Sequence, residues 1–137
     1  MKIKYDAELL NLMSLFEKIT GASLKDCFFN RDKIVFVVQP GEMGRALGKQ
    51  KSNIERVEKA LNRKIKIVEF SPDKLTFIRN LMFPLKILDM SEDEGIVTIK
   101  GPDMKTKGLM IGARAQNLRN YEEIVRKYFA LKEIKVV

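Results

Sequence analysis

Apolar residues recur at helical spacing from Leu9 through Leu12, Met13, Phe16 and Ile19. With Asp6 in front as a cap and Gly21 behind as a stop, they predict a helix over 6–20. Two denser apolar runs follow, 24–29 and 34–38, joined by Asn30, Arg31 and Asp32, and read as paired strands. Pro40 and Gly41 end the second of them. Residues 42–47 predict about one helical turn, and 48–51 a tight loop. Ser52, with Glu55 three residues on, has the pattern of a capping box. It opens a helix whose inner face is Ile54, Val57 and Leu61 and which ends near Asn62. Residues 65–70 predict a third strand.

From Ser71 and Pro72 the pattern restarts. A helix is expected over 73–82 with Leu75, Ile78, Leu81 and Met82 inward, then strands at 85–90 and 96–100 joined through the polar run 91–95. Gly101 and Pro102 break the strand as Pro40 and Gly41 do. A helix to Ile111, a loop at 112–115, a long helix carrying Leu118, Tyr121, Ile124, Val125 and Tyr128, and a strand at 133–137 complete the chain. The order α-β-β-α-α-β thus occurs twice, over residues 1–70 and 71–137. Gly44, Gly48, Asn53 and Glu58 recur as Gly108, Gly112, Asn117 and Glu122 at one constant offset. The predicted class is α+β, with a three-stranded sheet covered by helices in each half. Units of roughly 65 residues are near the lower limit for an independent core, so the halves are expected to pack as one rigid unit.

Charge adds a direction to this duplication. The 137-residue chain has a net charge of +8. Residues 43–64 carry seven basic groups against two acids, and residues 105–127 six against two. The basic excess therefore falls on the repeated element, as a polyanion-binding surface requires. Other chemistry is sparse. There is no histidine, which removes the commonest general base and metal ligand. No phosphate loop of the Gly-x-x-x-x-Gly-Lys-Ser/Thr kind occurs. The lone Cys27 lies among apolar residues and reads as a buried thiol. The acidic run Glu92, Asp93 and Glu94 reads as a solvated hairpin turn. No cofactor, metal site or catalytic residue is expected. Without an apolar run long enough for a membrane span or a leader-like start at residues 1–6, a soluble cytoplasmic protein is the expectation.

A short loop that touches a sugar-phosphate backbone needs a first residue without a Cβ, basic side chains, and a helix start offering unpaired N–H groups. Gly48-Lys49-Gln50-Lys51 and Gly112-Ala113-Arg114-Ala115 meet those needs in part. With Leu47-Gly48 to Asn53-Ile54, Gly108 through Gly112 to Asn117-Leu118, and Gly41 through Gly44, the chain resembles tandem K-homology (KH) proteins of type II. Within them it is most similar to the short archaeal NusA-like transcription factors.

The resemblance implies single-stranded RNA as partner, bound in the service of transcription elongation or termination, with RNA polymerase as a further partner and the protein a monomer. Its RNA site would comprise Arg45, Gly48, Lys49, Gln50, Lys51, Asn53 and Arg56 in the first copy. In the second it would comprise Lys107, Gly112, Ala113, Arg114, Ala115, Asn117 and Arg119. The chain departs from the family's Gly-x-x-Gly at the fourth position, where Lys51 and Ala115 stand. A Cβ there crowds an approaching backbone and disfavours a left-handed turn, so the grip is expected to lean on charge. A KH protein of ribosome assembly or RNA decay, and a protein-interaction scaffold with degenerate loops, stay open as alternatives.

Overall fold

The computed structural model describes residues 6–137. The stretch 1–5, read above against a leader, lies outside the described residues. The chain divides into two compact units, one ending at Phe70 and the other Ser71–Val137.

In the first unit, α1 (Ala7–Thr20) is capped by the Asp6 carboxylate, which accepts the Leu9 N–H at 2.9 Å, and stops at Gly21 with φ 71°. Then come β1 (Leu24–Asn30), β2 (Lys33–Val38), the short α2 (Met43–Leu47), α3 (Ser52–Leu61) and β3 (Lys64–Glu69). β1 runs antiparallel to β2, and β2 parallel to β3, in the order β1-β2-β3. Strand alternation sends Cys27, Ile34, Phe36 and Ile65 to the face that meets α1 and α3. There the Phe16 ring stacks on Phe36 with centroids 4.3 Å apart. Both rings are fully buried, each stabilising the fold by about 1.5–3 kcal/mol. Cys27 is buried beside them, as its apolar neighbours predict.

The second unit repeats the order with α4 (Lys74–Met82), β4 (Asp89–Asp93), β5 (Ile96–Lys100), α5 (Met104–Ile111), α6 (Gln116–Arg126) and β6 (Glu133–Val136). Its sheet has the same antiparallel and parallel pairs, in the order β4-β5-β6. Phe77, which the helical pattern did not place inward, is fully buried and meets Tyr128 edge-on at 5.4 Å.

Two local expectations fail. The strand expected at 85–90 lies at Asp89–Asp93, so Glu92 and Asp93 are strand residues and the turn is only Glu94 and Gly95. Both turn residues have positive φ, 49° and 84°, the geometry of a two-residue hairpin whose twist suits the strands. β4 is a mostly exposed edge strand, so it carries no apolar alternation to reveal it. Nor does Ser52 cap α3. It already has helical angles, and the capping position falls to Lys51, without a side-chain bond. A serine inside the helix has lost the extended backbone that a capping hydroxyl needs.

In each unit a glutamate ties the last helix to the last strand. Glu58 Oε2 accepts the Ile65 N–H at 3.0 Å, and Glu122 Oε2 accepts the Ile134 N–H at 2.8 Å. These two residues share a place in the repeat, and the bond explains their presence in an otherwise basic element.

Candidate nucleic-acid interface

Each loop begins where a short helix runs out. The Gly48 N–H donates to Gly44 O at 3.0 Å, and the Gly112 N–H to Gly108 O at 2.8 Å. Gly48 then turns at φ 72°, ψ −177°, and Gly112 at φ 74°, ψ 173°, a region open essentially to glycine alone. Next comes a single tight turn, closed by Lys51 N–H to Gly48 O and by Ala115 N–H to Gly112 O, both at 3.2 Å. Inside it two successive non-glycine residues are left-handed. Gln50 (φ 55°, ψ 32°) and Arg114 (54°, 31°) correspond, as do Lys51 (60°, 24°) and Ala115 (60°, 25°). The loops share one backbone although only their first residue is shared in sequence.

Asn53 and Asn117 account for that likeness. The Asn53 amide donates to Arg45 O at 3.2 Å, and Asn117 donates to Leu109 O at 2.8 Å. Each satisfies a carbonyl at the end of the short helix and lies flat against the loop glycine. A Cβ on Gly48 would sit 2.6 Å from Asn53 Nδ2, and one on Gly112 2.7 Å from Asn117 Cγ. The glycine is thus required by the asparagine as well as by its own φ. Asn53 is buried, so its place is in the scaffold of the loop.

The basic residues sort into two groups. Several are engaged by the fold. Arg45 lies 3.6 Å from Glu42, Arg56 donates to Asn53 Oδ1 at 3.0 Å, and the Lys107 stem packs on Gly101. Arg119 donates to both oxygens of the buried Glu122 at 2.8 and 2.9 Å. Those hydrogen bonds, and the charge of Glu122, hold the guanidinium pKa above its usual value. The loop tips differ. Lys49, Gln50, Lys51, Ala113 and Arg114 are exposed. Among the described residues no hydrogen bond or ion pair engages the side chains of Lys49, Lys51 or Arg114. The sequence does not foresee Leu109, half exposed where the first copy has Arg45. The offset of the repeat pairs those two positions and could have exposed the contrast.

Two α-β-β-α-α-β units, each with a glycine-led turn between its second and third helices, define a KH-domain protein. Residues 12–79 match the KH domain family model. The chain belongs to the family of archaeal NusA-like transcription termination proteins. It is 32% identical over its whole length to the protein of Methanococcus vannielii named "Probable transcription termination protein NusA", covering 81% of that chain. It is 30% identical to the Halobacterium salinarum protein of the same name, over 99% of both chains. Among solved structures it is similar to the crystal structure of APE1850. That match has a TM-score of 0.74 and 29% identity, covering 97% of this chain and 100% of the other.

Proposed function

We propose that the protein binds single-stranded RNA at the tips of its two loops and acts in transcription termination or elongation, as the names of its relatives suggest. One observation carries the RNA reading. The same constrained turn occurs twice, and in both copies the basic side chains at its tip are left uncommitted while the flanking ones are held by the fold. Lys49 and Lys51 in the first loop, and Arg114 in the second, supply charge-assisted hydrogen bonds to phosphate oxygens. The glycine at the start of each loop lets the RNA backbone come close. Single-stranded RNA is the substrate class because protein reading of RNA is centred on unpaired segments.

The test is a titration of short single-stranded RNA against wild type and the Lys49→Asp/Lys51→Asp/Arg114→Asp variant. The variant should bind at least tenfold more weakly, with a shallower dependence on salt. Unchanged affinity would place the RNA site elsewhere and favour a protein-interaction scaffold. Co-purification with RNA polymerase, as against pre-ribosomes, separates the transcription role from ribosome assembly.

A further inference from the structure

We infer that the first unit alone carries a second RNA contact, a stacking platform made by Phe29 and Arg63 at the far end of α3 from the loop. This rests on the loop reading above and extends it along the same helix. Phe29, one residue before the end of β1, is 40% exposed, whereas Asp26, Cys27 and Phe28 before it are buried. Arg63 lies over that ring, its Cζ 5.2 Å from the centroid. An exposed aromatic face with a guanidinium beside it is the pairing on which unstacked bases settle, through stacking and cation–π attraction.

The surroundings suit a polyanion. Arg56, Lys59 and Arg63 follow one another at spacings of three and four, which lines them along one side of α3 and its exit. Lys59, Arg63 and Lys64 help to line a shallow depression there. Its two acids are already occupied: Glu55 pairs with Lys59 at 3.1 Å on the open surface, and Glu58 holds the β3 backbone. An exposed pair of that kind is weak enough for a phosphate to displace. Ten residues of α3 put roughly 15 Å between loop and platform.

The second unit is an internal control. In strand register Phe29 faces Ile34 and Glu92 faces Val97, one position before the end of β1 and β4 respectively, so a glutamate stands where the phenylalanine does. That glutamate pairs with Lys74. Lys59 is matched by Glu123 at the offset of the repeat.

The test uses the full chain and oligouridylates of about 2 and about 12 nucleotides; at roughly 6 Å per nucleotide of extended strand, only the longer reaches from the loop across roughly 15 Å. Phe29→Leu, which keeps an apolar lid on the core, and Arg63→Gln should each weaken binding of the longer RNA about tenfold, the worth of one stacked base. Both should bind the shorter RNA as wild type does. Lys49→Asp/Lys51→Asp should weaken both. If Arg63→Gln and a folded Phe29→Leu bind the longer RNA like wild type, Phe29 and Arg63 only seal the core and the inference falls. If instead the loop variant alone is without effect, the loop reading falls and the platform stands.

Discussion

Lys51 and Ala115 hold a left-handed backbone with a Cβ attached, a conformation that costs about 1–2 kcal/mol. Glycine would remove that cost but add about 0.5–1 kcal/mol of chain entropy in the unfolded state. Ala115→Gly is therefore expected to stabilise the protein by roughly 0.5–1 kcal/mol, read as an increased midpoint in urea. A loss of stability would mean that the turn is not left-handed in solution. Gly48→Ala should do the reverse, costing about 2 kcal/mol or more, because the new Cβ meets both a forbidden backbone region and the Asn53 amide. Cys27 gives a third outcome at this scale. Burial first, and the neighbouring Asp26 charge second, push its thiol up to about 12. Iodoacetamide at pH 8 should leave it unmodified in the folded protein and alkylate it after denaturation.

At the scale of elements, Asp73 caps α4 by accepting the Thr76 N–H at 2.9 Å and Asp103 caps α5 by accepting the Thr106 N–H at 2.7 Å, and the two caps predict a pH response. Asp73 is held below the usual carboxylate range by the Thr76 hydroxyl and N–H, and Asp103 by the Thr106 N–H and hydroxyl. A carboxylate with a lowered pKa in the fold stabilises it above the unfolded value and loses that stabilisation as pH falls through the folded one. Stability should thus decline below about pH 4, and Asp73→Asn/Asp103→Asn should flatten the decline in urea melts between about pH 2 and 6. An unchanged acid slope would remove the caps from the account.

The same scale shows what the sequence could disclose. Leu9 to Ile19 fixed a helix and Ile34 to Val38 a strand because each buries one periodic face. β4 buries almost nothing and was displaced by several residues. The cap expected at Ser52 fails on backbone angles that a capping pattern does not determine. In the candidate site, charge and glycine pointed to both loops. The asparagine brace, the engagement of Arg119 and the exposure of Phe29 depend on which side chains meet across the unit, and spacing along the chain does not carry that.

For the whole molecule, the electrostatic share of RNA binding is the quantity to measure. Each phosphate neutralised on a single strand contributes about −0.7 to the slope of log affinity against log salt. Removing Lys49, Lys51 and Arg114 as contacts should make the slope shallower by about 2. A slope that stays the same while affinity falls would mean the loops act through shape alone.

The joints between last helix and last strand differ in length. Only Asn62 and Arg63 connect α3 to β3, whereas residues 127–132 connect α6 to β6. Arg126 steadies the longer joint by donating to the Leu131 and Lys132 carbonyls. The pair works as a natural insertion experiment: the same scaffold accepts a loop several residues longer at this corner, as the slow growth of loop entropy with length permits. A peptide tag or fluorophore grafted at the exposed Ala130, beyond the Tyr128 and Phe129 rings that pack on Phe77, should therefore be tolerated. The same graft after Asn62 would carry Arg63 off its ring, so the short joint doubles as a ruler that sets a cation in place.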